Sequence, residues 1–180
     1  MNKRYQPDQF EKKIYQEWEK KGFFTPKIDK SKKPFCIIMP PPNANGALHI
    51  GHALFVTIED LMIRWQRMRG KVALWLPGAD HASIATQVSF ERELAKKGKT
   101  RFDLGREKFY QACFAFTQKN KQTMYNQLRQ LGASCDWTRE KFTLDEDVGK
   151  IVYETFFQLY RDGLVYRDWR MISWCPRCST

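Results

Sequence analysis

The sequence predicts an α/β fold, a parallel sheet with flanking helices. Three observations carry this. Phe35-Cys36-Ile37-Ile38-Met39 is a compact apolar run ended by three prolines, and Val72-Ala73-Leu74-Trp75-Leu76 is a second one ended by Pro77-Gly78. Short apolar runs bounded by breakers read as buried strands. A long amphipathic stretch joins them. Strand, helix and strand in this order make a βαβ unit with parallel strands and a right-handed crossover.

The elements follow in chain order. Residues 9–22 read as an amphipathic helix with Phe10, Ile14 and Trp18 on one face, stopped by Gly22. Lys27 to Pro34, with Lys27, Lys30, Lys32 and Lys33, is a loop that is either simply solvated or an RNA contact. After the first strand, Asn43-Ala44-Asn45-Gly46 is turn material. A helix from Ala47 to Met68 shows the stripe Leu54, Ile58, Leu61, Trp65, Met68 and ends at Gly70. Beyond the second strand a helix spans His81 to Lys97, and a loop, Gly98 to Asp103, leads to a long helix over 105–131. That helix turns Phe109, Cys113, Phe116, Met124, Leu128 and Leu131 inward, and Gly132 breaks it. Residues 133–144 are loop-like, with Trp137 as an anchor. A helix over 146–162 buries Val148, Ile151, Val152, Phe156 and Leu159, and Leu164 to Ser173 alternates weakly, as a strand would.

Composition narrows the classes. The chain has 180 residues, 31 Lys and Arg against 20 Asp and Glu, and a net charge of +11. That length suits one domain, two at most, with a core that needs no disulfide staples. A hydrophobic content of 42% excludes a wholly disordered chain. No apolar run reaches the ~18 residues of a membrane span, and Met1 to Asp8 is not followed by the apolar stretch of a secretory signal. Five cysteines, an odd number, argue against a disulfide framework and for a reducing, cytoplasmic setting. The basic excess points to an anionic partner.

The densest chemistry is Pro40-Pro41-Pro42-Asn43-Ala44-Asn45-Gly46-Ala47-Leu48-His49-Ile50-Gly51-His52, where a parallel strand ends and a helix begins. Ligands bind at such strand ends, and a helix N-terminus offers unpaired N–H groups to an anion. His49 and His52, three apart, project from one face, and Gly51 keeps that face open to a bulky ligand. Two imidazoles can donate to charge developing on a phosphoryl group. They could also be ordinary histidines, or a His-x-x-His metal pair completed by His81. A second strand end, Leu76-Pro77-Gly78-Ala79-Asp80-His81-Ala82-Ser83-Ile84-Ala85-Thr86-Gln87, lies on the same edge of the sheet. Asp80 is either a helix N-cap or a carboxylate facing a ligand cation such as an α-ammonium group.

His49-Ile50-Gly51-His52 after a proline-rich strand end resembles the signature of the class I aminoacyl-tRNA synthetases. The Pro-Pro-Pro-Asn run, the 76–87 segment and Leu131-Gly132-Ala133-Ser134-Cys135-Asp136-Trp137-Thr138-Arg139-Glu140 together resemble the valyl-tRNA synthetase family, from about Phe10 to the end of the chain. The resemblance implies the first half of a Rossmann-type catalytic core. It implies activation of valine by ATP, with Mg2+, to valyl-adenylate, and transfer to tRNA(Val). His49, Gly51 and His52 would hold ATP, with His49 and His52 stabilising the transition state. Asn43 and Asn45 would line the nucleotide side. Pro41 and Pro42 would wall the amino-acid pocket, and Asp80 would take the valine ammonium. Ala44-Asn45 stands where the bacterial valine enzyme more often has Val-Thr, and the isoleucine and leucine enzymes share Ala-Asn-Gly there. Those two enzymes, and a non-catalytic nucleotide- or tRNA-binding module, are therefore the alternatives.

The resemblance also divides the chain into an N-terminal helix and basic loop (1–33), the first half of the catalytic domain (34–174) and the start of a segment leading to an editing insertion (175–180). The Lys-Met-Ser-Lys-Ser loop of the class is absent from the sequence, so the chain is expected to be an N-terminal piece, inactive alone, of a cytoplasmic protein that is monomeric when complete. Cys175 and Cys178 would be half a zinc site, and Zn2+ would need ligands beyond Thr180.

Overall fold

The computed structural model describes residues 4–177. It divides into two compact units, one up to Leu144 and one from Asp145.

In the first unit, α1 (Pro7–Lys20) starts with proline at a position where the missing N–H is not needed. Strand β1 (Pro34–Ile38), helix α2 (Ile50–Met68) and strand β2 (Val72–Leu76) form the expected unit. β1 and β2 are parallel and in register from Pro34 opposite Val72 to Ile38 opposite Leu76. Short strands β3 (Gly78–Ala79) and β4 (Lys141–Phe142) also pair in parallel, and α3 (Ser83–Ala95) and α4 (Arg101–Gln130) lie between them in the chain.

The core lies on one face of the β1–β2 sheet. Ala73 and Trp75 point into it from β2, Val56 and Ile63 from α2, and Met124, Tyr125 and Leu128 from α4, with Cys135 and Phe142 alongside. Phe35 and Ile37 of β1 pack against the same cluster, whereas Cys36 and Ile38 point to the other face and are exposed. β1 is thus half-open rather than the buried strand expected, because among the described residues no helix covers its second face.

Helix α2 departs furthest from expectation. The stripe Leu54, Ile58, Leu61, Trp65, Met68 is exposed, from 51% at Ile58 to 86% at Met68. The face that meets the sheet carries Val56, Ile63 and Gln66. Glu59 belongs to it too and accepts a hydrogen bond from the Trp75 indole (2.9 Å), so a polar residue turns inward because it has a partner there. Burial holds the Glu59 carboxyl above its usual range, against the lowering effect of that bond.

On α1 the inward residue is Tyr15, while Phe10 and Ile14 are exposed. The Tyr15 hydroxyl donates to Ala133 O (2.6 Å) and accepts from the Trp137 indole (2.7 Å). Trp137 packs edge-on against Tyr125 (5.2 Å), with the Arg129 guanidinium 4.0 Å over its ring, and so acts as the expected anchor. Helix α4 contains one non-helical residue, Gly105 (φ 71°), where its main run begins as expected. The preceding turn, from Arg101, is capped by Thr100 and Asp103, whose Oδ2 accepts from the Thr100 N–H (2.6 Å) and hydroxyl (2.8 Å). Leu131 is exposed, not inward. The 133–144 stretch is more ordered than expected: a 3-10 turn (Trp137–Arg139) leads into β4, and Phe142 is buried. Its burial is worth about 1.5–3 kcal/mol and pins β4 beside β3.

The second unit contains α5 (Glu146–Arg161) followed by irregular chain. None of the α5 residues expected to be buried is so, and 164–173 forms no strand. A lone helix and a strandless tail give each other no opposing surface within this unit.

Candidate active site

Backbone bonds carry the parallel pairing past the ends of β1 and β2. Met39 N–H donates to Leu76 O (2.9 Å), Asp80 N–H to Pro42 O (2.9 Å) and Ala44 N–H to Asp80 O (2.7 Å). Asn43 and Asp80 form an isolated parallel bridge. Prolines 40–42 have no N–H, so this stretch only accepts, and β3 follows directly on the neighbouring segment. The two strand-end segments therefore run side by side at the carboxyl edge of the sheet. Pro42 is buried, Pro41 and Asn43 are exposed and Asn45 is half-buried. Ala44 is wholly buried and belongs to the core. The end of the loop is tied to α4: Leu48 N–H donates to Gln127 Oε1 (2.8 Å).

The two histidines build the start of α2. His49 is its N-cap, with Nδ1 accepting from Gly51 N–H (3.1 Å), and His52 Nδ1 accepts from His49 N–H (3.2 Å). Each ring satisfies an N–H that the helix itself cannot. The ring centroids are 4.0 Å apart. An accepting Nδ1 carries no proton, so both neutral rings hold theirs on Nε2, the atom turned away from the backbone. Burial, and then the neighbouring His49, hold the His52 pKa below its ordinary value. A Cβ at Gly51 would stand 3.0 Å from His49 Cε1 and 3.1 Å from Nδ1, so the exposed ring would have to shift by a few tenths of an ångström.

Asp80 is not the N-cap of α3. The helix starts at Ser83, with Ala82 before it in the left-handed region (φ 52°) and no side chain capping it. Asp80 Oδ1 instead accepts from Ala82 N–H (3.0 Å) and the Thr143 hydroxyl (3.2 Å). His81 is held by the same threonine, whose Oγ1 accepts from His81 N–H (2.9 Å) and lies 2.6 Å from its Nδ1. Oδ1 of Asp80 is thus occupied by the protein, and Oδ2 is the oxygen left for a ligand. Sequence reasoning missed Thr143 and Gln127, because neither lies near the motifs in the chain. It also missed a cavity of about 660 Å³ between α3 and α4, which reaches from His81 and Thr86 to Phe109, Tyr110 and Phe114.

Among the described residues no three His, Cys, Asp or Glu side chains come together as a metal set, so His81 does not complete one with His49 and His52. Cys175 is exposed, and Cys178 lies outside the described residues. Two thiolates would supply only half of a tetrahedral zinc set.

The arrangement offers imidazole donors at a helix N-terminus and a carboxylate on the adjoining strand end, on one sheet edge. The sequence profile of the tRNA synthetases class I (I, L, M and V) matches residues 13–180. The chain belongs to the class I tRNA synthetases. Within this family it is 57% identical over all 180 residues to the valine–tRNA ligase of Dehalococcoides mccartyi and 51% identical over 180 residues to that of Clostridium acetobutylicum. It spans 20% of the length of each of these relatives. The fold is similar to that in the crystal structure of the ternary complex of Agrobacterium radiobacter K84 agnB2 LeuRS with tRNA and LeuAMS. The TM-score is 0.81 at 26% identity, covering 98% of this chain and 21% of that one. The class I synthetase chain thus has the Rossmann-type core expected of it, in the form of its first parallel β–α–β unit and the helices around it.

Proposed function

We propose that this chain supplies the adenylate-forming edge of a valine–tRNA ligase. MgATP, valine and tRNA(Val) are the substrates, and the working protein is a cytoplasmic monomer. The valine carboxylate attacks the α-phosphorus of ATP and pyrophosphate leaves. The mixed anhydride then passes its valyl group to a hydroxyl of the terminal adenosine of tRNA, releasing AMP. No general base is needed for the first step, since the carboxylate is already a nucleophile; positioning and charge stabilisation carry it. His49 and His52 donate from Nε2 to the α-phosphoryl oxygens. Gly51 lets the nucleotide approach, Asn43 and Asn45 line its side, Pro41 and Pro42 wall the amino-acid pocket, and Asp80 Oδ2 takes the ammonium. The observation that carries this reading is that both imidazoles commit Nδ1 to the backbone, which fixes two proton donors at one helix N-terminus. The identity of the relatives supports valine.

The test is amino-acid-dependent ATP–pyrophosphate exchange by the protein as its organism makes it. Exchange with valine in preference to isoleucine and leucine is the expected result. Preference for isoleucine or leucine would reassign the substrate, and no exchange with any of them would leave only a binding module.

A further inference from the structure

We infer that a cationic cleft at the amino edge of the sheet binds the phosphodiester backbone of RNA. This is the end opposite the histidines, one five-residue strand away, or about 16 Å. The cleft has a volume of about 400 Å³ and lies where β1 and β2 begin; Lys27, Lys32, Arg67 and Lys71 line it, with Phe23 at its rim.

Its cations outnumber its carboxylates, Lys27, Lys32, Arg67 and Lys71 against Asp29. Arg67 is half-buried and held by Ser134, donating to Oγ (2.7 Å) and O (2.8 Å), so its position does not depend on a ligand. The one carboxylate in the lining, Asp29, accepts from Ser31 N–H (3.0 Å) and its hydroxyl (2.6 Å), and Lys32 stands 3.6 Å from its other oxygen. Those bonds hold the Asp29 carboxyl below its usual range. Lys27 and Lys71 have no ion-pair partner among the described residues. Lys30 and Lys33 flank the cleft on the same loop.

Aromatic rings alternate with these cations. Phe23 is 58% exposed with the Lys21 ammonium 5.9 Å from its centroid, and Lys71 stands 5.7 Å from the Phe35 ring. Several spaced cations and an exposed ring fit a strand of nucleic acid, whose phosphates take the charges while a base stacks. A single small anion would engage only part of the set. The choice of RNA among polyanions rests on the aminoacylation reading above.

The test is binding of unfractionated tRNA to the protein as its organism makes it, by fluorescence anisotropy across a salt series. Replacing Lys27, Lys32 and Lys71 together by Gln is expected to lower the slope of log K against log salt by about 2–3 and the affinity at least tenfold. Phe23→Ala is expected to lower affinity about tenfold with the slope unchanged. A control triple of exposed lysines, Lys96→Gln, Lys97→Gln and Lys99→Gln, removes the same charge and is expected to change neither; circular dichroism confirms that each variant is folded. The inference is overturned if the control triple matches the cleft triple, if poly-glutamate or inorganic phosphate displaces tRNA at equal charge, or if wild-type binding is absent or insensitive to salt. Pyrophosphate exchange needs no tRNA, so the two readings fail separately. Lost RNA binding with intact exchange in the cleft triple supports this site. Absent exchange in the wild type strikes only the proposed reaction.

Discussion

The two helices that begin at the sheet's carboxyl edge start in opposite ways. Helix α2 is capped by its own sequence: His49 and His52 satisfy two backbone N–H groups within four residues. Helix α3 has no side-chain cap, and its first residues, Ala82 (φ 52°) and Ser83 (φ 38°), are the only non-glycine residues with positive φ among those described. It is held from a distance. Asp80 and His81 are tied to Thr143 of the segment after β4, and Thr86 donates back to His81 O (2.6 Å). The histidine half of the site is therefore locally encoded and self-supporting, and the Asp80 half is a tertiary construction that carries strain of about 1 kcal/mol or more per residue.

That contrast can be broken most sharply at α2. Substituting His49 or His52 by Ala is expected to lower the exchange kcat by about 10²–10³ with little change in the KM for valine, the usual cost of losing one transition-state donor. Asn at position 49 can still cap, so His49→Asn is expected to keep the melting temperature and lose the rate. Next is Gly51→Ala, whose Cβ must displace the His49 ring. Exchange is expected to fall about tenfold or more while thermal stability holds or rises, since Ala favours a helix by about 1 kcal/mol. Equal losses of rate and stability would mean that the cap, not the donors, sets activity.

The distant half should respond more weakly and in another parameter. Thr143→Val removes the hydroxyl shared by Asp80 and His81, and is expected to raise the KM for valine about fivefold to tenfold with kcat nearly unchanged, consistent with a loss of about 1–1.4 kcal/mol. Thr143→Ser should restore it. The smallest effect is expected at Ala82→Gly. Relief of the left-handed conformation outweighs the entropy of glycine by about 0.3–0.5 kcal/mol, read as a higher urea midpoint.

The same division explains what could be read in advance. The strands at Pro34–Ile38 and Val72–Leu76 were legible because each is a short apolar run with breakers after it, and the histidine pair because its spacing is local. The α2 stripe misled because the helix is apolar on more than one side, and periodicity alone does not say which side the sheet takes. Glu59 turns to the buried face because the Trp75 indole meets it there, whereas the buried Gln66 Oε1 finds no hydrogen-bond partner among the described residues. Of the two readings of Asp80 the cap fails, because a left-handed Ala82 leaves no mark in a sequence and starts the helix beyond the reach of that side chain. Thr143 was invisible for a simpler reason: it is 63 residues from Asp80, and only the β3–β4 pairing brings them together.

The part of the α2 cap that His52 supplies can be removed by acid. Its Nδ1 must be bare to accept the His49 amide hydrogen, so a proton there abolishes the bond. The folded state holds the His52 pKa below the ordinary 6.5. Between the two values the unfolded chain binds the proton and the folded chain does not, so the contribution of this ring to stability is complete above 6.5 and is lost as pH falls through the lower, folded value. The fold would then loosen, as pH falls, at the start of α2. Hydrogen exchange at the His49 amide, the hydrogen that His52 Nδ1 accepts, should rise on the way down through that range before the amides of the Trp75 strand do.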